Sequence, residues 1–285
     1  MRLIKRFMSI LFICVVALLV TALALLCYAR FIEPRFLDIE NVTIFSLRLH
    51  RDDEGLRIVQ FSDLHVSDDD FSSKLTNLRD LVNSQDADIL VFTGDLFDNY
   101  ADYHGDINAL IAVLSQMEAR CGRYAILGNH DYEKNALNTC KAIWEEVGFT
   151  LLIGDTVTVP GTHVTVSGFD DILYGRCTAL KEEPADGFRL FLCHEPDIAA
   201  DINAARYDLM LSGHTHGGQV KLPFLGIVYL PHLGRIYAEG LYTPGNCDEG
   251  KLYVNRGIGM SLLPIRFRSV PEITVLTLTG EREES

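Results

Sequence analysis

The stretch Leu56-Arg-Ile-Val-Gln-Phe-Ser-Asp-Leu-His65 is a short apolar run that ends in an aspartate and a histidine. Apolar runs of this length are typical of buried strands. The pattern recurs four more times, with runs that end at Gly94-Asp95, Gly128-Asn-His-Asp131, His194 and Gly213-His-Thr-His216. Groups at the strand ends of an α/β sheet meet in one crevice. The sequence therefore predicts one site built from five strand ends.

The residue types at these strand ends favour a metal site. Carboxylates, an amide and imidazoles without thiolates suit Mn²⁺, Fe or Zn²⁺. The set is larger than one ion needs, and two ions about 3.5–4 Å apart could share it, an arrangement used for in-line displacement at phosphorus. We expect two divalent metal ions, with Mn²⁺ favoured and Fe or Zn²⁺ as alternatives.

In order and spacing, these five clusters resemble the calcineurin-like metallophosphoesterase family. The similarity runs from about Leu56 to Leu278. It implies an α/β fold, a four-layer α/β/β/α sandwich of two mixed sheets. It also implies a metal-dependent phosphohydrolase that cleaves a phosphodiester or pyrophosphate bond by means of a metal-activated hydroxide.

The resemblance further implies a role for each residue of the site. The metal ligands would form two triads and a bridge, namely Asp63, His65 and His216, then Asn129, His194 and His214, and finally Asp95. His130 would assist the leaving group as a general acid, and the carboxylate of Asp98 would orient its ring. The glycines before Asp95, Asn129 and His214 are expected to allow sharp turns.

Three further features bear on the substrate. Protein serine/threonine phosphatases of the superfamily carry Arg where this chain has Asn99, which weakens that reading. The Gly217-Gly-Gln219 and Asn255-Arg-Gly-Ile-Gly259 segments resemble the membrane-anchored bacterial branch, which includes small phosphodiesterases and a UDP-diacylglucosamine pyrophosphate hydrolase. We therefore expect a membrane-associated or lipid-linked substrate. A non-catalytic scaffold, a phosphomonoesterase and a nuclease of the same superfamily are the alternatives.

The amino-terminal segment predicts a membrane helix. Residues 7–28 carry no charge, and at about 1.5 Å per residue they can cross a hydrocarbon core of about 30 Å. A single-pass anchor over residues 1–30 is favoured over a cleaved signal, because the apolar stretch exceeds the usual apolar region of a signal peptide and no good small-x-small cleavage site follows. Three basic residues precede the span and two follow it. This bias favours a catalytic domain outside the cell membrane, with a cytoplasm-facing enzyme as the alternative.

The remaining sequence predicts one catalytic domain over residues 56–285, after a linker and lead-in strand region over residues 31–55. Helices are predicted at 73–84, 106–120 and 137–147. The net charge of −14 argues against a nucleic-acid surface. The acidic run Asp68-Asp-Asp70 is interpreted as a solvated turn, and the cysteines outside the span show no disulfide framework. The oligomeric state is open.

The apolar segment Leu222-Pro-Phe-Leu-Gly-Ile-Val-Tyr-Leu-Pro231 follows the last predicted ligands directly. An apolar loop at this place could meet a lipid tail or the bilayer surface. A buried strand with flanking prolines is the alternative interpretation.

Overall fold

The computed structural model describes residues 2–67, 71–176, 187–201, 207–245 and 250–281. The acidic run 68–70, Cys177 and Cys247 lie outside these ranges. The helices of the described part are α1 (Arg2–Phe31), α2 (Phe71–Asn83), α3 (Ile107–Leu114) and α4 (Leu137–Glu146). Its strands are β1 (Asp38–Phe45), β2 (Arg57–Phe61), β3 (Ile89–Thr93), β4 (Gly122–Ile126), β5 (Thr150–Leu151), β6 (Asp155–Thr158), β7 (Val164–Gly168), β8 (Phe188–Leu192), β9 (Leu209–Ser212), β10 (Lys221–Leu222), β11 (Gly226–Ile227), β12 (Gly240–Tyr242), β13 (Lys251–Val254) and β14 (Glu272–Thr279).

The first sheet has the strand order β1-β14-β2-β3-β4-β5. Strands β2 to β5 run parallel, whereas β14 runs antiparallel to β2. Strand β1 pairs with β14 along its whole length, from Asp38 opposite Glu272 to Phe45 opposite Thr279. Part of the predicted lead-in region over residues 31–55 therefore lies within this sheet.

The second sheet has the order β12-β13-β9-β8-β7-β6. Its four central strands run parallel, and the edge strands β12 and β6 run antiparallel to their neighbours. Both sheets are thus mixed, as the sequence predicts. The parallel strands place their carboxyl ends at one edge of each sheet, where the predicted ligands follow.

Alternate residues of the central strands enter two different cores. Ile89 and Val91 of β3 pack between the two sheets, whereas Leu90 and Phe92 pack beneath helices α2, α3 and α4. Because side chains alternate along a strand and both faces are covered, β3 is apolar from Ile89 to Phe92. The outer face of the second sheet has its own small core, which among the described residues is covered by the 3₁₀ helix Pro196–Ala200 rather than by an α-helix.

Helix α3 is shorter than predicted. Asp106 caps its amino terminus by accepting a hydrogen bond from the Asn108 N–H at 2.8 Å. The helix ends at Leu114 because the side chain of Asn83, at the end of α2, forms hydrogen bonds to the backbone of the residues after Leu114. Its side chain donates to the Gln116 carbonyl at 2.8 Å and accepts from the Glu118 N–H at 2.9 Å.

Helix α1 stands apart from the cores. It is long and apolar enough to span a membrane, with a mean hydropathy of 3.2 over its most apolar window, none of which is buried. Its carboxyl end is tied to the domain, because the Arg266 N–H donates to the Ala29 carbonyl at 2.9 Å. Just beyond, the buried carboxylate of Glu33 accepts a hydrogen bond from the Ser269 N–H at 2.7 Å.

Replacing Phe92 by alanine should destabilise the domain by about 3–5 kcal/mol, because it opens a cavity in a cluster of packed rings. The Phe92 ring lies 5.2 Å from that of Phe61 and 4.5 Å from that of Trp144. Urea unfolding of the detergent-solubilised full chain, followed by tryptophan fluorescence, measures the loss. Leu47→Ala, at a side chain that is 85% exposed, should change stability by less than about 0.5 kcal/mol. Equal losses in both variants would contradict this core assignment.

Candidate metal centre

The loops that follow five parallel strands bring the predicted ligands to one place. The first sheet supplies them after β2, β3 and β4, and the second sheet after β8 and β9. All seven residues are buried, namely Asp63, His65, Asp95, Asn129, His194, His214 and His216. The site therefore lies where the carboxyl ends of the two sheets meet.

One triad of donor atoms consists of Asp63, His65 and His216. The Nε2 atoms of the two imidazoles lie 3.0 Å apart. Oδ1 of Asp63 lies 3.5 Å from Nε2 of His216 and 3.9 Å from Nε2 of His65. These short separations between lone-pair donors are compatible with one shared cation.

A second triad consists of Asp95, His194 and His214. Oδ2 of Asp95 lies 3.1 Å from Nε2 of His194 and 3.5 Å from Nε2 of His65, so this oxygen borders both triads. The other ring nitrogens are held by backbone carbonyls. Nδ1 of His194 bonds to the Thr93 oxygen and Nε2 of His214 to the His232 oxygen, both at 2.7 Å. Such contacts leave the opposite nitrogens available as ligands.

Oδ1 of Asn129 and Nε2 of His194 are buried lone-pair atoms that accept no hydrogen bond from the described part of the chain. A buried polar atom without a partner is unfavourable. A divalent cation would satisfy both atoms, and amide oxygen and imidazole nitrogen are ligands that such ions accept. The donor set thus fits a metal ion.

The backbone of the site is strained at the ligands themselves. Five of them adopt positive φ angles from 43° to 71°, namely Asp63, His65, Asp95, His214 and His216. Residues with a side chain rarely adopt this conformation, and it concentrates at functional sites. Of the three glycines expected to form sharp turns, Gly94 alone has a positive φ, of 101°. A side chain at Gly128 or Gly213 would instead collide with the carboxylates of Asp95 or Asp63.

The pKa values of Asp95 and His214 suit a cation. Burial alone would raise the pKa of Asp95, but the imidazoles of His194 and His130 hold it well below its ordinary value. Burial, followed by the charge of His194, lowers the pKa of His214 to about 4. At neutral pH these two ligands are a carboxylate and a neutral imidazole, the forms that bind metal ions. Burial alone would lower the pKa values of His65 and His194, but the neighbouring carboxylates of Asp63 and Asp95 raise them, so that these two rings would release a proton when a cation binds.

His130 lies beside the two triads and is only partly buried. Its backbone N–H donates to Oδ1 of Asp95 at 2.8 Å. The centroid of its ring lies 4.7 Å from that of His65, in an edge-on arrangement. Asp98 orients the ring, but through a different atom than expected. Its backbone carbonyl lies 2.7 Å from Nδ1 of His130, whereas its carboxylate lies 3.2 Å from Nδ1 of His65.

A groove of about 380 Å³ opens onto these residues. We call it the ligand groove. Its polar lining includes Asp95, Asn129 and His130. Its apolar lining is contributed by the segments after β9, β11 and β13, namely Val220, Val228, Tyr229, Pro231, Leu262 and Leu263. A substrate that reaches the metal centre through this groove meets polar groups at the metals and apolar side chains around them.

The sequence signature of the calcineurin-like phosphoesterases matches residues 56–218, which carry all seven candidate ligands. The chain belongs to this family. Its members use divalent metals, and this calcineurin-like phosphoesterase is a hydrolase that acts on phosphoester bonds.

Relatives with known names agree with this assignment. The chain is 37% identical to the uncharacterized metallophosphoesterase YkuE of Bacillus subtilis (strain 168), over 88% of each chain. It is 30% identical to the phosphodiesterase YaeI of Escherichia coli (strain K12), over 88% of this chain and 92% of that one. A transmembrane protein with metallophosphoesterase domain from Danio rerio is 29% identical over 86% of this chain and 57% of its own length.

Asp131 supports this phosphoesterase site in a way that the sequence did not suggest. Its buried carboxylate accepts hydrogen bonds from the N–H groups of Asp95, Leu96 and Gly128, at 2.8 to 3.0 Å. It therefore holds the loop after β3 against the loop after β4. The one sequence signal was its place directly after the Gly-Asn-His cluster.

Arg266 is a second supporting residue that the sequence did not indicate. Its guanidinium is fully buried and donates to the carbonyls of Gly259 and Ser269, each at 3.0 Å. One of its nitrogens also lies 3.2 Å from Nδ1 of His216. The backbone beside it braces the first triad, because the Gly259 N–H donates to the Asp63 carbonyl at 2.7 Å.

Replacing Asp131 by alanine should weaken metal retention and destabilise the fold. Each buried N–H that loses its acceptor costs about 1–3 kcal/mol. Metal content after dialysis and urea unfolding of the full chain measure the two effects, and Asp131→Asn, which keeps one acceptor oxygen, should lose less. As a control, Asp106→Ala removes a helix cap at a cost of about 1 kcal/mol and should retain metal. Wild-type metal content in Asp131→Ala would contradict this supporting role.

Proposed function

We propose that this chain is a binuclear metal-dependent phosphohydrolase that cleaves a phosphodiester or pyrophosphate bond in a membrane-associated or lipid-linked substrate. The observation that carries the proposal is the meeting of two buried donor triads at one oxygen of Asp95. One ion would be held by Asp63, His65 and His216. The other would be held by Asn129, His194 and His214, with the Asp95 carboxylate as the bridge.

The donor set accepts Mn²⁺, Fe or Zn²⁺, and we favour Mn²⁺ because three of the seven side chains offer oxygen. When bound, two such ions supply Lewis acidity and lower the pKa of water. The ligands contribute geometry. The carbonyls that hold His194 and His214 fix which ring nitrogen faces the site, and the buried surroundings strengthen every electrostatic contact within it.

His130 is the residue that we assign to proton transfer. The Asp98 carbonyl accepts from its Nδ1–H, which leaves Nε2 to exchange a proton with the leaving oxygen of a substrate in the ligand groove. The histidine is only partly buried, so that it can meet both substrate and solvent. Its backbone N–H bond to Asp95 keeps it at a fixed distance from the bridging carboxylate.

A membrane setting is supported by two features. Helix α1 exposes an apolar surface that suits a bilayer rather than water, and relatives are named transmembrane proteins with a metallophosphoesterase domain. We place the catalytic domain outside, because Arg2, Lys5 and Arg6 precede the span and only Arg30 and Arg35 follow closely.

Protease treatment of intact cells should then digest the catalytic domain. Protection of the domain from the protease would indicate the opposite orientation.

The hairpin of β10 and β11 supports a lipid-linked substrate. The alternative of a buried strand for this segment is wrong, because Phe224 at its tip is fully exposed and Leu225 is 80% exposed. Val228 and Tyr229, which follow it, line the ligand groove. Exposed apolar side chains beside a substrate groove are typical of a membrane-contacting surface.

Asp95→Asn and His130→Ala should separate metal binding from proton transfer. Hydrolysis of bis-p-nitrophenyl phosphate and p-nitrophenyl phosphate by the full chain with added Mn²⁺ is the assay. Asp95→Asn should lose bound metal and activity together. His130→Ala should keep its metal, while kcat falls by about 10²–10⁴-fold.

His163→Ala serves as the control and should leave kcat unchanged, because this exposed histidine precedes β7, at the end of the second sheet opposite the ligands. Turnover of the diester should exceed that of the monoester. Absence of bound metal and of turnover of both compounds in the wild-type chain would refute the binuclear enzyme. An unchanged kcat in His130→Ala would refute the proton-transfer role alone.

The double variant Phe224→Ser/Leu225→Ser should lower hydrolysis of a lipid phosphodiester relative to a soluble one by about ten-fold. Each buried apolar side chain contributes about 1.5–3 kcal/mol when it leaves water, and only part of that is gained at a membrane surface. The ratio of the two rates in detergent-free nanodiscs is the measurement. Leu47→Ser, at another exposed leucine, should keep the wild-type ratio. An equal fall with both substrates would argue against membrane contact by this hairpin.

A further inference from the structure

A second cavity, of about 640 Å³, lies between the end of α1 and the candidate metal centre. It is lined by Arg30, Phe31 and Arg35, which follow the apolar span, and also by His65 and Asp98 of the site. We call it the anchor pocket. It therefore connects the end of the membrane helix with the first donor triad.

The fold fixes the position of the anchor pocket relative to the bilayer. The ring of Tyr28 meets that of Phe267 edge-on at 6.4 Å, and the Ala29 carbonyl accepts from the Arg266 N–H. These contacts engage the last residues of the uncharged stretch, which by length matches the hydrocarbon core. Arg30 and the pocket that it lines consequently fall at the level of the lipid headgroups.

The anchor pocket is basic in an acidic protein of net charge −14. Its described lining residues include three cations, Arg30, Arg35 and Lys74. They include a single carboxylate, that of Asp98. The Lys74 ammonium donates to the Ile258 carbonyl at 2.6 Å, and no carboxylate in the described part of the chain pairs with it. Burial lowers the pKa of Lys74 to about 7. A bound anion would favour its charged form.

We propose that the anchor pocket binds the phosphate headgroup of an anionic membrane lipid, with Arg30, Arg35 and Lys74 as the groups that contact the phosphate. Guanidinium and ammonium groups form strong charge-assisted hydrogen bonds to phosphate oxygens. The exposed side chains of Leu262 and Leu263 line both the anchor pocket and the ligand groove. They provide an apolar surface for the lipid between the two cavities.

This site gives a lipid-linked substrate a path from the leaflet to the candidate metal centre along the two cavities. The inference deepens the proposed function and rests on it for hydrolysis, whereas headgroup binding can be measured without turnover. The recognised group is an anionic phosphate, and a comparison of lipid and soluble phosphodiesters distinguishes its two sources.

Native mass spectrometry tests the binding itself. The full chain is released from nanodiscs of phosphatidylcholine that contain a minor fraction of phosphatidic acid, and the phosphatidic acid that stays bound is counted. The double variant Arg30→Gln/Arg35→Gln should retain about ten-fold less phosphatidic acid than the wild type. The loss of even one charge-assisted hydrogen bond weakens binding by about that factor. Both side chains are exposed, so that the fold should persist. Arg6→Gln, at the opposite end of α1, is the matched control and should retain the wild-type amount.

Activity provides the second measurement. In the same nanodiscs, the ratio of hydrolysis of a diacylglycerol p-nitrophenyl phosphodiester to that of soluble bis-p-nitrophenyl phosphate should fall about ten-fold in the double variant and stay unchanged in Arg6→Gln. Equal lipid retention by the wild type and the double variant would overturn the anchor-pocket assignment even if the enzyme is active. A wild type that retains the lipid but cleaves neither substrate would refute the proposed function and leave headgroup binding established.

Discussion

The structure depends on keeping the carboxylates of Asp63 and Asp95 buried where the two sheets meet. Buried charges are strongly unfavourable unless they are paired or bound to a cation. Imidazoles from both sheets surround these carboxylates, at 3.1 to 3.9 Å. A third buried acid, Asp131, lies beside Asp95 and has its pKa raised to about 6 by burial and by the charge of that neighbour. This concentration of negative charge would be relieved by divalent ions, so the fold itself favours the metal-bound form.

The same requirement explains the strained backbone. A donor atom can face a shared cation from a strand end only if the chain turns abruptly, and the ligand residues themselves adopt the left-handed conformation at five positions. The cost is of order 1–3 kcal/mol for each such residue. The surrounding hydrogen bonds offset this cost. For example, both oxygens of the Asp63 carboxylate accept from the His214 backbone N–H, at 3.0 and 3.1 Å. The cores on either side of the sheets supply the rest of the stability that this strain requires.

Much of the fold followed from the sequence, because each apolar run was followed by a ligand cluster and strand ends converge. The atoms that orient the side chains of the site could not be predicted from the sequence. The sequence predicted that Asp98 orients His130 but could not show that the carbonyl does so, because that choice depends on how the loop after β3 folds back. Asp131 and Arg266 were missed for a similar reason, since their partners are mainly backbone groups, which residue types in a sequence do not mark. The exposed hairpin at Phe224 could not be distinguished from a buried strand by hydrophobicity alone.

Arg266 gives helix α1, the candidate membrane helix, a structural connection to the site. Its backbone N–H holds the Ala29 carbonyl at the end of α1, and its guanidinium packs within 3.2 Å of the His216 ring. One buried residue thus contacts both the anchor and a candidate metal ligand. A flexible linker would let the domain move freely relative to α1, whereas this contact holds the candidate metal centre at a fixed distance from the end of that helix. Under the proposed function, this attachment would favour phosphoryl groups at headgroup level over a substrate whose phosphate lies far from the membrane.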